Sequence, residues 1–169
     1  MVRTINKMTN MNVKPIKTEK INLDREVQLE IPFFDSENLP DYFCARYARL
    51  SSQFSFGKIF PVAHAWNMRS KQGVIITSVN NRFFELPFHR KQIKPGSLVG
   101  IYTSDSRHNG ELKPYTHLSL YLGEKNRHPL FLEQYIHDIR LIKLKDYERK
   151  DMEIREVLSI DPFVVPKFE

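Results

Sequence analysis

A chain of 169 residues with 41% hydrophobic content, 12 Phe and 7 Tyr can bury its own core, which excludes a disordered polymer and suits one domain. Its single cysteine, Cys44, excludes an internal disulfide framework and argues against a cysteine-based zinc site. The net charge of +6 attracts polyanions, but the basic residues are scattered, and the cluster at 143–150 is interleaved with Asp146 and Glu148, as on a solvated surface rather than a specific nucleic-acid patch.

No apolar run approaches the roughly 20 residues of a membrane span. The first ten residues lack the apolar stretch of a secretory signal, so the expected location is cytoplasmic, or outside by a non-classical, phage or effector route. Residues 1–22 are polar, lysine-rich and aperiodic, and read as a flexible lead-in to a single domain over 23–169. Residues 27–33 alternate apolar and polar side chains and predict a strand ending at Pro32.

The stretch that follows is rich in N-cap residues. Asn38 as cap and Pro40 in the first turn predict a helix to about Gln53, with Cys44 in its second turn. Tyr47 and Ala48 lie three and four residues past the thiol, so its side of the helix looks inward. Gly57 supplies the stop.

Residues 63–68 predict a short helical turn, 73–79 a strand and 82–90 an irregular loop; the stretch 69–93 as a whole carries no assigned role. A turn at 94–97 leads into a buried strand at 98–102, and 103–114 is a polar loop. That loop, with Phe83 to Phe88, is placed along a substrate groove. Strands follow at 116–122, 130–135 and 139–144, the first two joined by a turn at 123–126, and a last strand or helix covers 152–160. Helices first and an antiparallel run afterwards give the α+β class.

The chemistry concentrates on two residues. A thiol near a helix start is favoured as thiolate, and a histidine at the head of a strand can take and return its proton. Cys44 and His117 fit these roles, and backbone N–H groups at the helix start, including that of Cys44, are natural donors to an oxyanion. A third group must orient the imidazole. The strand after the turn offers Glu133, with Gln134 and His137 as substitutes, since the register across the hairpin is open. Taken alone, Cys44 between Phe43 and Ala45 reads as a small buried hydrophobe, and Trp66 as a packing residue. His64, His89, His108, His128 and His137 match no metal-ligand spacing, and Gly96, Gly100 and Gly110 form no phosphate loop, so no cofactor is expected.

Five short motifs occur in order: Cys44-Ala-Arg-Tyr-Ala-Arg-Leu, Phe56-Gly-Lys, Ala65-Trp-Asn, Lys94-Pro-Gly-Ser-Leu-Val-Gly and Thr116-His-Leu-Ser-Leu-Tyr-Leu-Gly. Together they resemble the NlpC/P60 cell-wall peptidases of the papain-like superfamily over about 39–145. The resemblance implies a nucleophile-bearing helix packed on a small antiparallel sheet that carries the base. It implies hydrolysis of amide bonds in peptidoglycan stem peptides, with Cys44 as nucleophile, His117 as base and the third, polar position on Glu133. The order, cysteine before histidine, differs from that of the circularly permuted relatives. The chain departs from the pattern at His64, where members often have Asp, at Ser97, where Pro-Gly-Asp is usual, at Glu133, where His, Asn or Gln is common, and in lacking a secretion signal. Two other readings stand beside this one: an intracellular papain-like amidase with a non-wall substrate, and a catalytically silent papain-like binding module.

Overall fold

The computed structural model describes residues 13–35, 37, 39, 43–103, 107–108 and 110–160. The first described elements are two antiparallel strands, β1 (Lys17–Asn22) and β2 (Gln28–Phe33), running from Lys17↔Phe33 to Asn22↔Gln28. The lead-in assigned to 1–22 is thus corrected over 17–22. Those residues are mostly exposed, with Ile21 alone packing on the core, so the ladder to β2 does most to organise them, and periodicity cannot reveal them.

The next element is α1 (Cys44–Phe56). Asn38 and Pro40 lie outside the described residues, and Cys44 is the first helical residue rather than a second-turn one. Tyr47, Ala48 and Leu50 bury the inward face, and Gly57 ends the helix in the left-handed conformation at φ 68°. A 3-10 turn over Ala65–Ser70 follows. The stretch 69–93 then forms β3 (Ile75–Ser78), α2 (Asn81–Glu85) and α3 (Pro87–Arg90), two short helices where an irregular loop was expected. Asn80 caps α2 through the Phe83 N–H at 2.9 Å, and Pro87 begins α3. Arg90 is buried and clamps α3 down, paired with Glu124 and donating to the carbonyls of Phe84 and Glu85.

The remaining elements are β4 (Leu98–Tyr102), the two-residue strands β5 (Arg107–His108) and β6 (Glu111–Leu112), β7 (His117–Lys125), β8 (His128–Tyr135), β9 (Asp138–Lys143), α4 (Leu144–Arg149) and β10 (Glu153–Ser159). Six of the strands form one antiparallel sheet in the order β3-β10-β4-β7-β8-β9. Alternation sorts its side chains into two layers. Leu98, Leu118, Leu120, Leu132 and Leu158 pack with Tyr47 and Ala48 of α1. Val99, Ile101, Tyr121, Phe131 and Val157 pack with Phe84 of α2 and Tyr147 of α4. The molecule is α+β, and among the described residues no helix is long and apolar enough to cross a membrane.

Two turns refine the sequence reading. Gly123 is not in the β7–β8 turn; it lies within β7 beside a register shift, at φ 115°, and the chain reverses at Asn126 and Arg127, with φ 52° and 66°. The Asp24 carboxylate accepts both of their N–H groups, at 2.8 and 2.7 Å, and so ties the β1–β2 hairpin to this reversal. At the next hairpin, Tyr135↔Asp138 closes a loop in which Ile136 has φ 57°, a conformation β-branched residues avoid. Such backbone strain costs on the order of 1–3 kcal/mol. Ile136→Asn is therefore expected to raise stability by about 1 kcal/mol, read as a higher urea midpoint; an unchanged or lower midpoint would contradict the strain.

Candidate active site

Cys44 reaches the site because α1 begins with it. Among the described residues no side chain caps this helix start, and no acidic residue sits in its first turn. The positive end of the helix and its unpaired N–H groups therefore act on the sulfur. The Sγ lies 3.7 Å from the carbonyl oxygen of Thr116, the residue that leads into β7, and is hydrogen-bonded to His117.

Strand register brings the third residue in. The pair Leu120↔Leu132, continued toward the head of β7, sets Ser119 opposite Glu133 with His117 diagonal to it on the same face. The His117 Nε2 stands 2.9 Å from Glu133 Oε1, which leaves Nδ1 for the sulfur. Of the three candidate orienting residues, Glu133 is therefore the one hydrogen-bonded to the ring. Gln134 is buried in the cleft wall, and His137 is exposed beside Asp138 at 3.5 Å.

Glu133 is fully buried, which would be costly for an uncompensated carboxylate. Compensation comes from every side. Ser119 Oγ donates to Oε1 at 2.8 Å, Tyr147 Oη donates to the same oxygen at 2.6 Å, and Arg140 Nε donates to Oε2 at 2.9 Å. Arg140 stands directly opposite Glu133 on β9, and Tyr147 arrives from α4. The sequence reading missed all three. Ser119, two residues past His117 on the same face, carried a visible signal; Arg140 and Tyr147 needed the β8–β9 register.

The electrostatics follow from this packing. Burial alone would raise the Cys44 thiol, but the charge and hydrogen bond of His117, with backbone N–H groups of Leu118 and Ala45, outweigh it and hold the thiol below its ordinary value. Burial alone would lower His117; the Cys44 sulfur and then Glu133 outweigh it and raise the imidazole well above its usual range. Burial would also raise Glu133, yet His117 first, then Tyr147 and Ser119, hold it down at about 2. The three groups thus favour a thiolate–imidazolium–carboxylate chain at neutral pH.

The sulfur opens onto a cleft of about 1190 Å³. The α1 start forms one side of the cleft, His64, Trp66 and Asn67 line another part, and Tyr135 and Ile136 another. Trp66 is half-buried and stacks on His64 with the rings 4.8 Å apart and nearly parallel, so its packing partner is the residue that departs from the expected Asp. Thr103 reaches the cleft from the polar loop that was expected to line it; residues 104–106 and 109 lie outside the described residues. The expected contribution of Phe83 to Phe88 is corrected. None of that stretch lines the cleft, because Phe84 is drawn into the other layer, 5.5 and 5.4 Å from the rings of Tyr121 and Phe131. Ser97, the other departure, is buried, with its hydroxyl 3.2 Å from that of Ser159 on β10. Comparison of the chain with family models, with curated proteins and with solved structures gave no match.

Proposed function

We propose that this protein is a cysteine hydrolase of the NlpC/P60, papain-like type that cleaves amide bonds in peptidoglycan stem peptides. The observation that carries the reading is the Cys44–His117–Glu133 chain, its thiol at a helix start and open to a cleft. The resemblance of the ordered motifs supplies the substrate class, and a basic surface suits an anionic wall.

In this mechanism the Cys44 thiolate attacks the amide carbonyl, and the resulting oxyanion is met by N–H groups at the start of α1. His117 gives its Nδ1 proton to the departing amine as the C–N bond breaks, leaving a thioester on Cys44. Water then attacks the thioester carbonyl, with His117 taking its proton. The carboxylic acid leaves, and the thiolate–imidazolium pair is restored. Glu133 keeps the ring's Nε2 protonated and its plane fixed, and touches no reacting atom.

Alkylation of Cys44 tests the reading without a substrate, because it is the only cysteine. An ordinary thiol of pKa ~8.5 is about 1% ionised at pH 6.5. Wild type is expected to react with iodoacetamide at pH 6.5 tens of times faster than His117→Ala, whose buried thiol ionises only at higher pH. Digestion of purified muropeptides then tests the substrate. An ordinary thiol profile in wild type would sink the hydrolase reading; a fast thiol with intact muropeptides would sink the wall substrate alone.

A further inference from the structure

Four side chains on one face of the sheet close a circuit of contacts that the mechanism above uses only in part. The register that sets Ser119 opposite Glu133, continued to the head of β7, sets His117 opposite Tyr135. The two rings stand edge to face, 6.3 Å apart at 77°. From β9, the outermost strand, Arg140 reaches both neighbours of the imidazole. Its Nε and Nη2 each lie 2.9 Å from Glu133 Oε2, and its guanidinium carbon lies 4.2 Å from the centre of the Tyr135 ring. A lysine would also neutralise Glu133. Only a planar guanidinium can grip a carboxylate oxygen and lie over an aromatic face at once. With Oε2 taken, Oε1 stays with His117, Ser119 and Tyr147. With Tyr135 held, the imidazole cannot swing out into the cleft that Tyr135 lines.

Building on the amide-hydrolase reading, we propose that Arg140 is a positioning residue: by holding Glu133 and Tyr135 together it fixes the His117 imidazole from two sides and keeps its proton transferable. The groups that bear on His117 come from every element around it. The Cys44 sulfur faces it from α1 and Glu133 from β8, with Arg140 behind Glu133 on β9. Tyr147 of α4 is neutral, β4 presents the apolar Ile101, and Lys150 stands 5.8 Å from the Tyr135 ring centre. Arg140 offsets the carboxylate, so the imidazolium meets a paired anion rather than a bare one and can release its proton to the departing amine.

Two readouts separate this role from simple support of the fold. The first is the NMR titration of the His117 ring in the Cys44→Ala protein, which needs no reactive thiol. Arg140→Gln is expected to raise that pKa by about one unit or more, because the carboxylate becomes a stronger partner for the imidazolium. Arg140→Lys, which keeps the charge, is expected to restore most of the difference. The second is alkylation of Cys44 by iodoacetamide at pH 6.5. Tyr135→Leu is expected to slow it at least about 3-fold although the cleft widens, and Tyr135→Phe, which keeps the ring, to slow it less. Arg140→Lys is expected to slow it too, yet to slow Tyr135→Leu no further, since both changes break the same contact. An unchanged His117 titration in Arg140→Gln would overturn the proposal. So would losses that multiply when Arg140→Lys and Tyr135→Leu are combined, and this arm decides alone should Arg140→Gln not fold. A slow, ordinary thiol in wild type would instead be a failure of the hydrolase reading, and the His117 titration would still decide the role of Arg140.

Discussion

Glu133→Leu is expected to destabilise the protein by about 3–5 kcal/mol, the usual cost of breaking a buried ion pair from one side. Four groups lose their acceptor at once: His117, Ser119 and Tyr147 at one carboxylate oxygen and Arg140 at the other. Glu133→Gln is expected to fold, since the amide oxygen can still accept from Tyr147 or Ser119, at a cost of about 1–2 kcal/mol. In that variant the imidazolium loses its carboxylate, so labelling of Cys44 at pH 6.5 is expected to fall about tenfold or more, and turnover by two to four orders of magnitude. The pH dependence of stability carries its own sign. The Glu133 carboxyl is held at about 2, below its unfolded value near ~4.3, so its contribution is complete above that value and is lost as pH falls through about 2. Wild type is thus expected to lose stability between about pH 4.5 and 2, and Glu133→Gln to lose much less over the same range. Urea midpoints measured across that range decide it, and parallel curves for the two proteins would exclude a depressed Glu133.

The second large effect comes from a residue that no motif marks as chemical. A methyl group added at Gly100 would lie 2.5 Å from the ring of Tyr115, against its hydroxyl-bearing end at Cζ, Cε1 and Cε2. The ring cannot retreat: it is fully buried, and its hydroxyl donates to Glu156 at 2.7 Å, while Arg69 holds the other oxygen of Glu156 at 2.9 Å. Gly100→Ala is therefore expected to cost about 3 kcal/mol, at the upper end for overpacking. It is also expected to slow Cys44 labelling, because Tyr115 is adjacent to Thr116, whose carbonyl meets the sulfur, and two residues from His117. Gly100→Ala combined with Tyr115→Leu is expected to cost less than the sum of the two single changes. Additive losses would mean that the ring and the glycine do not share the space.

How far the sequence could be read divides along a physical line. Local signals were sufficient where one segment specifies itself: the alternation of β2, the inward face of α1 at Tyr47 and Ala48, Gly57 as its end, and the leucines of β7. The Cys44 and His117 positions were legible because a helix start and a strand head are local features. Choosing Glu133 over Gln134 needed the β7–β8 register, which sequence leaves open, and finding Arg140 needed the register after that. The exposed strand β1 owes its form to a partner, so nothing within 17–22 announced it. Gly123 read as a turn because glycine usually punctuates, whereas here it serves a strand irregularity three residues early. Phe83 to Phe88 read as groove-lining because aromatic stretches in loops invite that view; the sheet's second face needed covering, and Phe84 fills it.

The sheet order has a consequence for how the molecule comes into being. β10 lies between β3 and β4, so Glu156 pairs with Ser78 on one side and with Gly100 on the other. During synthesis, α1 and β7 emerge long before the strand that joins β3 to the sheet and supplies the partner of Tyr115. Contacts so distant along the chain close late and slowly. The nascent thiol is therefore expected to pass most of translation without its finished surroundings, and the reactivity proposed for Cys44 to arrive with β10 rather than with the cysteine itself.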